Sequence, residues 1–236
     1  MEITDILKES LSYPLHNIKA LILYLILGII LGIAVGGSAV AVIEGITASN
    51  ISAVLGFGSL GVVISLILTL IISGYELDII KYGIERNDGA PGIEFTRQFV
   101  NGVKLFVVNL VYYLIPLIIG AILSAISNHW AILVIEFILY LVFGLLALMG
   151  QCRLADTEDL AYSLAITEAF DDIQKVGFIN LILFLIVIGI VAIILFAIAG
   201  AITAWNATIG GIILGIVGVY LTFFVSRATG LLYSKV

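Results

Sequence analysis

The sequence predicts an all-α polytopic membrane bundle of six transmembrane helices, with short amphipathic helices at one interface. Three observations predict it. Of the 236 residues, 62% are hydrophobic and only 11% charged, a balance that leaves a water-soluble domain too little polar surface. Charge-free runs cover 20–43, 45–75, 105–135 and 176–226, and about 20 apolar residues cross a hydrocarbon core roughly 30 Å thick. All ten Lys and Arg (Lys8, Lys19, Lys81, Arg86, Arg97, Lys104, Arg153, Lys175, Arg227 and Lys235) then fall on one side of the alternation. Cations at span ends are retained on the cytoplasmic face, so this split predicts a positive-inside, multi-pass protein of the cell membrane with cytoplasmic N- and C-termini.

Taken in order, the chain opens with an amphipathic segment over 3–11, apolar at Ile3, Ile6, Leu7 and Leu11. Span one follows at about 20–43. Ala39-Val40-Ala41 imitates a cleavage site, but the leader carries Glu2, Asp5 and Glu9 and the apolar run is too long, so it reads as a retained span. Span two, about 53–75, opens with Gly56-Phe57-Gly58-Ser59-Leu60-Gly61. That spells G-x-G-x-x-G, yet the dinucleotide fingerprint needs a preceding strand and a βαβ unit, and neither fits a membrane helix. A turn-rich run over 87–92 leads through a short amphipathic segment, around 93–103, into spans three and four at about 104–126 and 130–150. The third amphipathic segment, 157–176, sets Ile166, Ala169, Phe170, Ile173 and Val176 on one face, as in helices that lie in the interface with their charges in water. Spans five and six occupy about 178–199 and 208–227. The whole of 1–236 reads as a single integral membrane domain.

Leu15-His16-Asn17-Ile18-Lys19 parallels Val100-Asn101-Gly102-Val103-Lys104, and Phe170-Asp171-Asp172-Ile173-Gln174 is a looser copy. The spacing suggests three repeated units, each an amphipathic helix and a two-span hairpin. Outer connections are short, near 44–52, 127–129 and 200–207, and both glycosylation sequons, at Asn50 and Asn206, fall in them. No extramembrane catalytic domain fits between the spans.

Formal net charge is −6, and fourteen of the sixteen acids share the side of the bases. That mixture argues against a nucleic-acid surface or a polybasic lipid patch. A lone Cys152 forms no intramolecular disulfide, and His16 and His129 lie on opposite faces. The expectation is no catalytic set, no metal site and no cofactor, hence not an enzyme.

One ionisable side chain, Glu136, lies well inside a span. Counting back across the hairpin turn puts Gly120 opposite it, and Tyr140, one turn on, is placed to donate to it. Pro116 removes a helix hydrogen bond and loosens the Tyr112 carbonyl. Glu136, Tyr140, Tyr112, Asn109 and Pro116 form the candidate intramembrane polar site. Gly28, Gly32 and Gly36 on span one, with Gly211 and Gly215 on span six, are candidate helix-packing positions, where small residues let backbones approach; homo-oligomerisation is the alternative use of the first stripe.

Gly74-Tyr75-Glu76-Leu77-Asp78-Ile79-Ile80, Ala90-Pro91-Gly92, Phe99-Val100-Asn101-Gly102-Val103-Lys104 and the stretch 160–177 resemble the archaeal domain-of-unknown-function family 4013. The likeness runs from about Leu11 onward. It implies a polytopic protein of an archaeal plasma membrane and carries no activity. The leading functional expectation is a small transport- or channel-like protein centred on Glu136. The alternative is a non-catalytic scaffold that organises lipid or docks partners through its amphipathic helices. The bilayer is the expected partner and nucleic acid is not.

Overall fold

Backbone inside hydrocarbon must satisfy its own hydrogen bonds, so the apolar runs fold as helices. The computed structural model describes residues 2–47, 56, 58–127, 129–205 and 207–236, and the side chains among them except those at 36, 37, 39–41, 44, 46, 203 and 207–212. The sequon asparagines Asn50 and Asn206 lie outside the described residues, as do the side chains at Gly36 and Gly211. Nine α-helices and no strand occur among the described residues: α1 Ile3–His16, α2 Ile18–Thr47, α3 Ser59–Ile84, α4 Phe95–Ile126, α5 Trp130–Thr157, α6 Leu160–Ser163, α7 Ile166–Val176, α8 Phe178–Trp205 and α9 Ala207–Tyr233. Six of them, α2, α3, α4, α5, α8 and α9, are long and apolar enough to cross a bilayer. The protein is an integral, multi-pass membrane protein.

Consecutive spans pair as three hairpins, α2–α3, α4–α5 and α8–α9, and α3 joins them by packing on both α4 and α9. Each of the six long helices runs past its expected span at one end or both. The connection expected over 200–207 is largely helix, because nothing there breaks one until Trp205. The middle amphipathic segment is not a separate element. At Asn17 the backbone leaves the helical region, with φ −109° and ψ 41°, and α1 ends; Gly177, at φ 90°, likewise ends α7. The matching Asn101-Gly102 stays helical inside the 32-residue α4. Asn101 donates to Asp78 across 3.3 Å, and a Cβ on Gly102 would stand 1.9 Å from the carbonyl oxygen of Leu70. The close approach of α3 holds the two residues in line.

Gly74 has the reciprocal role, since a Cβ there would lie 1.8 Å from the Gln98 carbonyl oxygen. The two glycines let α3 and α4 touch backbone to backbone. Gly58 and Gly61, from the nucleotide-like motif, bring α3 against Val42 and Ser38 of α2. Their role in the structure is packing.

Burial is concentrated at the pole where the cations gather. The main core joins Ile6 of α1 to Leu77 and Ile80, Leu105 to Tyr112, Leu145 to Ala155, Ala169 to Val176 and Ala228 to Tyr233. Toward the other pole the helices turn Ile33, Leu60, Leu117 and Ile193 outward, an apolar surface suited to lipid.

Candidate functional site

The charged pole is built by three side-chain centres, two tying a long helix to a loop or short helix and the third joining α3 to α4. On α5, Arg153 is 2% exposed. Its Nη1 donates to Asp172 Oδ2 at 2.7 Å, its Nη2 to Glu168 Oε2 at 2.6 Å and its Nε to the Tyr162 carbonyl at 3.1 Å. The guanidinium carbon lies 3.6 Å from the centre of the Tyr162 ring, a cation–π contact. Asp172 also accepts from Tyr233 and Lys175, each at 3.0 Å. Burial alone would raise the Asp172 carboxyl; the hydrogen bonds from Arg153, Lys175 and Tyr233 outweigh it and hold the group below the usual carboxylate range.

The expected apolar face of α7 is therefore only partly inward. Ala169, Ile173 and Val176 are buried, Phe170 is exposed, and Asp172 points into the protein rather than to water. A buried guanidinium is too costly to leave without a counter-charge, which is why an acid takes that inward position.

On α9, Arg227 is fully buried. Nη2 donates to Glu9 of α1 at 2.7 Å and to Asp88 at 2.6 Å, and Nη1 to the carbonyls of Tyr82 and Asn87. Further donors converge on the same 85–94 loop. Tyr13 reaches Gly89, Tyr75 reaches Pro91, Asn17 reaches the Asp88 carbonyl, and Arg97 and Gln98 share Gly92. Burial pushes the Tyr13 hydroxyl up to about 12, against the pull of Arg227. The loop is clamped by α1, α3, α4 and α9 together.

The third centre is Asp78 on α3, buried, with Oδ1 accepting from Arg97 at 2.7 Å and Oδ2 without a partner among the described residues. Two residues earlier, Glu76 lines a small cavity of about 20 Å³ with Tyr24, Tyr75, Thr222 and Phe223. Among the described residues its carboxyl makes no hydrogen bond or ion pair. Tyr24 and Tyr75 stack with centroids 4.0 Å apart beside it.

The residues expected to line a central site do not converge. Glu136 packs against Gly120, whose added Cβ would lie 3.3 Å from the carboxyl carbon. Its hydrogen-bond donor is Ser124, at 2.7 Å, rather than Tyr140. Tyr140 instead lines a separate groove. Tyr112, fully buried, donates to the Ser163 carbonyl, and Asn109 accepts from Gln151 at 2.8 Å. Pro116 is buried within an uninterrupted α4. Fifteen residues of α5 separate Glu136 from Gln151, roughly 22 Å at 1.5 Å per residue.

Of the packing glycines, Gly28 meets Val219 at 3.2 Å, whereas no described residue lies within 4 Å of a Cβ on Gly32 or Gly215. His129 caps α5 by accepting from the Ala131 amide. Among the described residues no cluster of three or more His, Cys, Asp or Glu is placed to hold a metal.

Residues 57–204 match the family model described as protein of unknown function (DUF4013). The chain belongs to that family. The match begins at the start of α3, not near Leu11, and ends on α8, so it takes in Asp78, the clamped loop, Arg153 and Asp172 but not α1 or Arg227. No curated protein and no solved structure matches the chain. Sequence reasoning passed over Arg153, Arg227 and Asp78 because each stands at the edge of an apolar run, where a charge is ordinarily solvated. The available signal was the apolar sequence beyond them, as in Ala228 and Leu231-Leu232-Tyr233 after Arg227.

Proposed function

We propose that this family member is a non-catalytic membrane component that organises lipid and docks partners at its charged pole. In this reading it is a single domain over 1–236 in the cell membrane of an archaeon, oriented positive-inside with both termini in the cytoplasm. One observation carries it: α1 and α7 are fastened into the charged pole through Arg227 and Arg153 while Leu15, Tyr162 and Phe170 remain exposed beside them. An apolar rim on rigidly held short helices suits the bilayer interface. The ten-to-none distribution of cations supports the orientation. The space that the described residues leave at Gly32 and Gly215 suits a second copy, which crosslinking of Ile33→Cys tests.

The transport-like reading has a different observation in its favour, the unpartnered Glu76 carboxyl in a membrane helix. Intramembrane acids commonly mark ion or proton pathways. Purified protein in liposomes separates the two. Under the scaffold reading, proton flux equals that of empty vesicles and Glu136→Gln and Glu76→Gln change nothing. A protein-dependent flux abolished by either substitution would replace it with the carrier.

A further inference from the structure

A groove of about 460 Å³ runs along α5 between α4 and α8, lined by Tyr113, Phe137, Leu141, Leu145, Leu148 and Leu185 among others. α8 packs mainly on α9 and α7 and stands off from α5, leaving this gap open sideways. Phe137, Tyr140 and Leu185 belong at once to the groove and to the exposed apolar surface, so the groove is continuous with the surface that faces the bilayer. From Phe137 to Gln151 it spans fourteen residues of α5, roughly 21 Å at 1.5 Å per residue. One leaflet contributes about half of a hydrocarbon core roughly 30 Å thick, about 15 Å, so the groove is long enough to hold one lipid tail. Its wall is shaped: Gly144 leaves space that the Tyr113 hydroxyl enters, 3.7 Å from an added Cβ. At its charged-pole end stands Gln151, which donates to Asn109.

We propose that this groove is a built site for the hydrocarbon chain of one membrane lipid, which wedges α8 against α5. The lipid enters from the side, with its head at the Gln151 end near the charged pole and its tail toward Phe137. The proposal deepens the lipid-organising reading and rests on it. It names a held lipid, distinct from the exchanging molecules around the bundle.

The test uses the full chain reconstituted with a diacyl phospholipid carrying a photoreactive group on one chain, then extracted into detergent. Before illumination, native mass spectrometry should find one phospholipid retained per chain. After illumination in vesicles, labelling should concentrate within 137–151 of α5. Gly144→Leu, which fills the groove, should cut retention and groove labelling by about fivefold or more while labelling over 22–33 of α2 persists. Leu148→Phe fills it from another position and should act alike, and both variants are required to elute as single species beside the native protein. Labelling spread evenly over α2 and α5, a retained detergent molecule in place of the lipid, or a Gly144→Cys variant that crosslinks to a second copy would each overturn the proposal. If the groove is unlabelled but residues around Leu15 and Phe170 still react, only the held lipid is lost and the interfacial reading stands. If neither region reacts, both fail.

Discussion

Arg153 and Asp172 form an ion pair at 2.7 Å in which both side chains are 2% exposed, although they stand nineteen positions apart with the whole of α6 between them. A pair so buried is costly to assemble and more costly to break from one side. Arg153→Met should therefore lower the unfolding free energy by about 3–5 kcal/mol, read as the thermal midpoint in detergent. Asp172→Asn should cost less, because Glu168 still accepts from Nη2 at 2.6 Å. The double variant should fall short of the sum of the singles. Strict additivity would mean that the two groups do not act as a pair.

The same carboxyl sets an acid limb. Its folded value is held below the ordinary one, so between the two values the unfolded chain binds the proton and the native state does not. The stabilisation is complete above the unfolded value near 3.9 and drains as pH falls through the folded value. Thermal midpoints should stay level from pH 7 to pH 5 in this respect and decline below about pH 4. Asp172→Asn should flatten that decline. Lys81 and Glu158 also pair, but that contact is largely exposed, and Lys81→Ala should shift stability by no more than about 1 kcal/mol.

Glycine substitutions should separate real close approach from sequence pattern. Gly74→Ala and Gly102→Ala push a methyl onto opposing backbone at 1.8 and 1.9 Å, and backbone cannot swing aside as a side chain can. Each should cost about 1–3 kcal/mol or more. Gly32→Ala meets no described residue within 4 Å and should be neutral, or stabilising by up to about 1 kcal/mol through helix propensity. Protein in detergent, its oligomeric state read alongside, unfolded by heat gives the comparison. A large loss at Gly32 would point to a second copy packed there.

Those glycines show where sequence reading stops. The six spans and the short α1 and α7 were legible because hydrophobic run length and 3.6-residue periodicity are local signals. The Gly120–Glu136 contact was legible too, since two helices joined by three residues must run back along each other in register. The G-x-x-x-G stripe is equally local, but whether it faces a helix or lipid is a tertiary fact, and Gly74 and Gly102 belong to no such stripe. Charge pairing is less local still. Nothing in the spacing of Arg153 and Asp172, or of Arg227 and Glu9, announces a contact across α5 and α7 or across α9 and α1. A census of cations assigns them to a pole without showing that two of them are interior there.

Arg227 holds α1 in place, so its removal should loosen α1 before the rest. Unlike Asp172, its acidic partners can return to water: Glu9 is 34% exposed and Asp88 85%. The loss then falls mainly on the two hydrogen bonds to the Tyr82 and Asn87 carbonyls, at about 1.5–3 kcal/mol for bonds from a charged group, and the Tyr82 carbonyl keeps the Asn87 amide at 2.8 Å. Arg227→Met should accordingly destabilise the protein less than Arg153→Met does. Its effect should be local: amide exchange over 6–13 of α1 speeds up by about tenfold or more, since 1.4 kcal/mol is a factor of ten, while the amides of α5 keep their protection. Hydrogen exchange read by mass spectrometry on the native chain and the variant decides it. If α1 remains fully protected, its hold comes from Tyr220 donating to the Leu11 carbonyl and Tyr13 to that of Gly89, and the double variant with Tyr220→Phe should then release it.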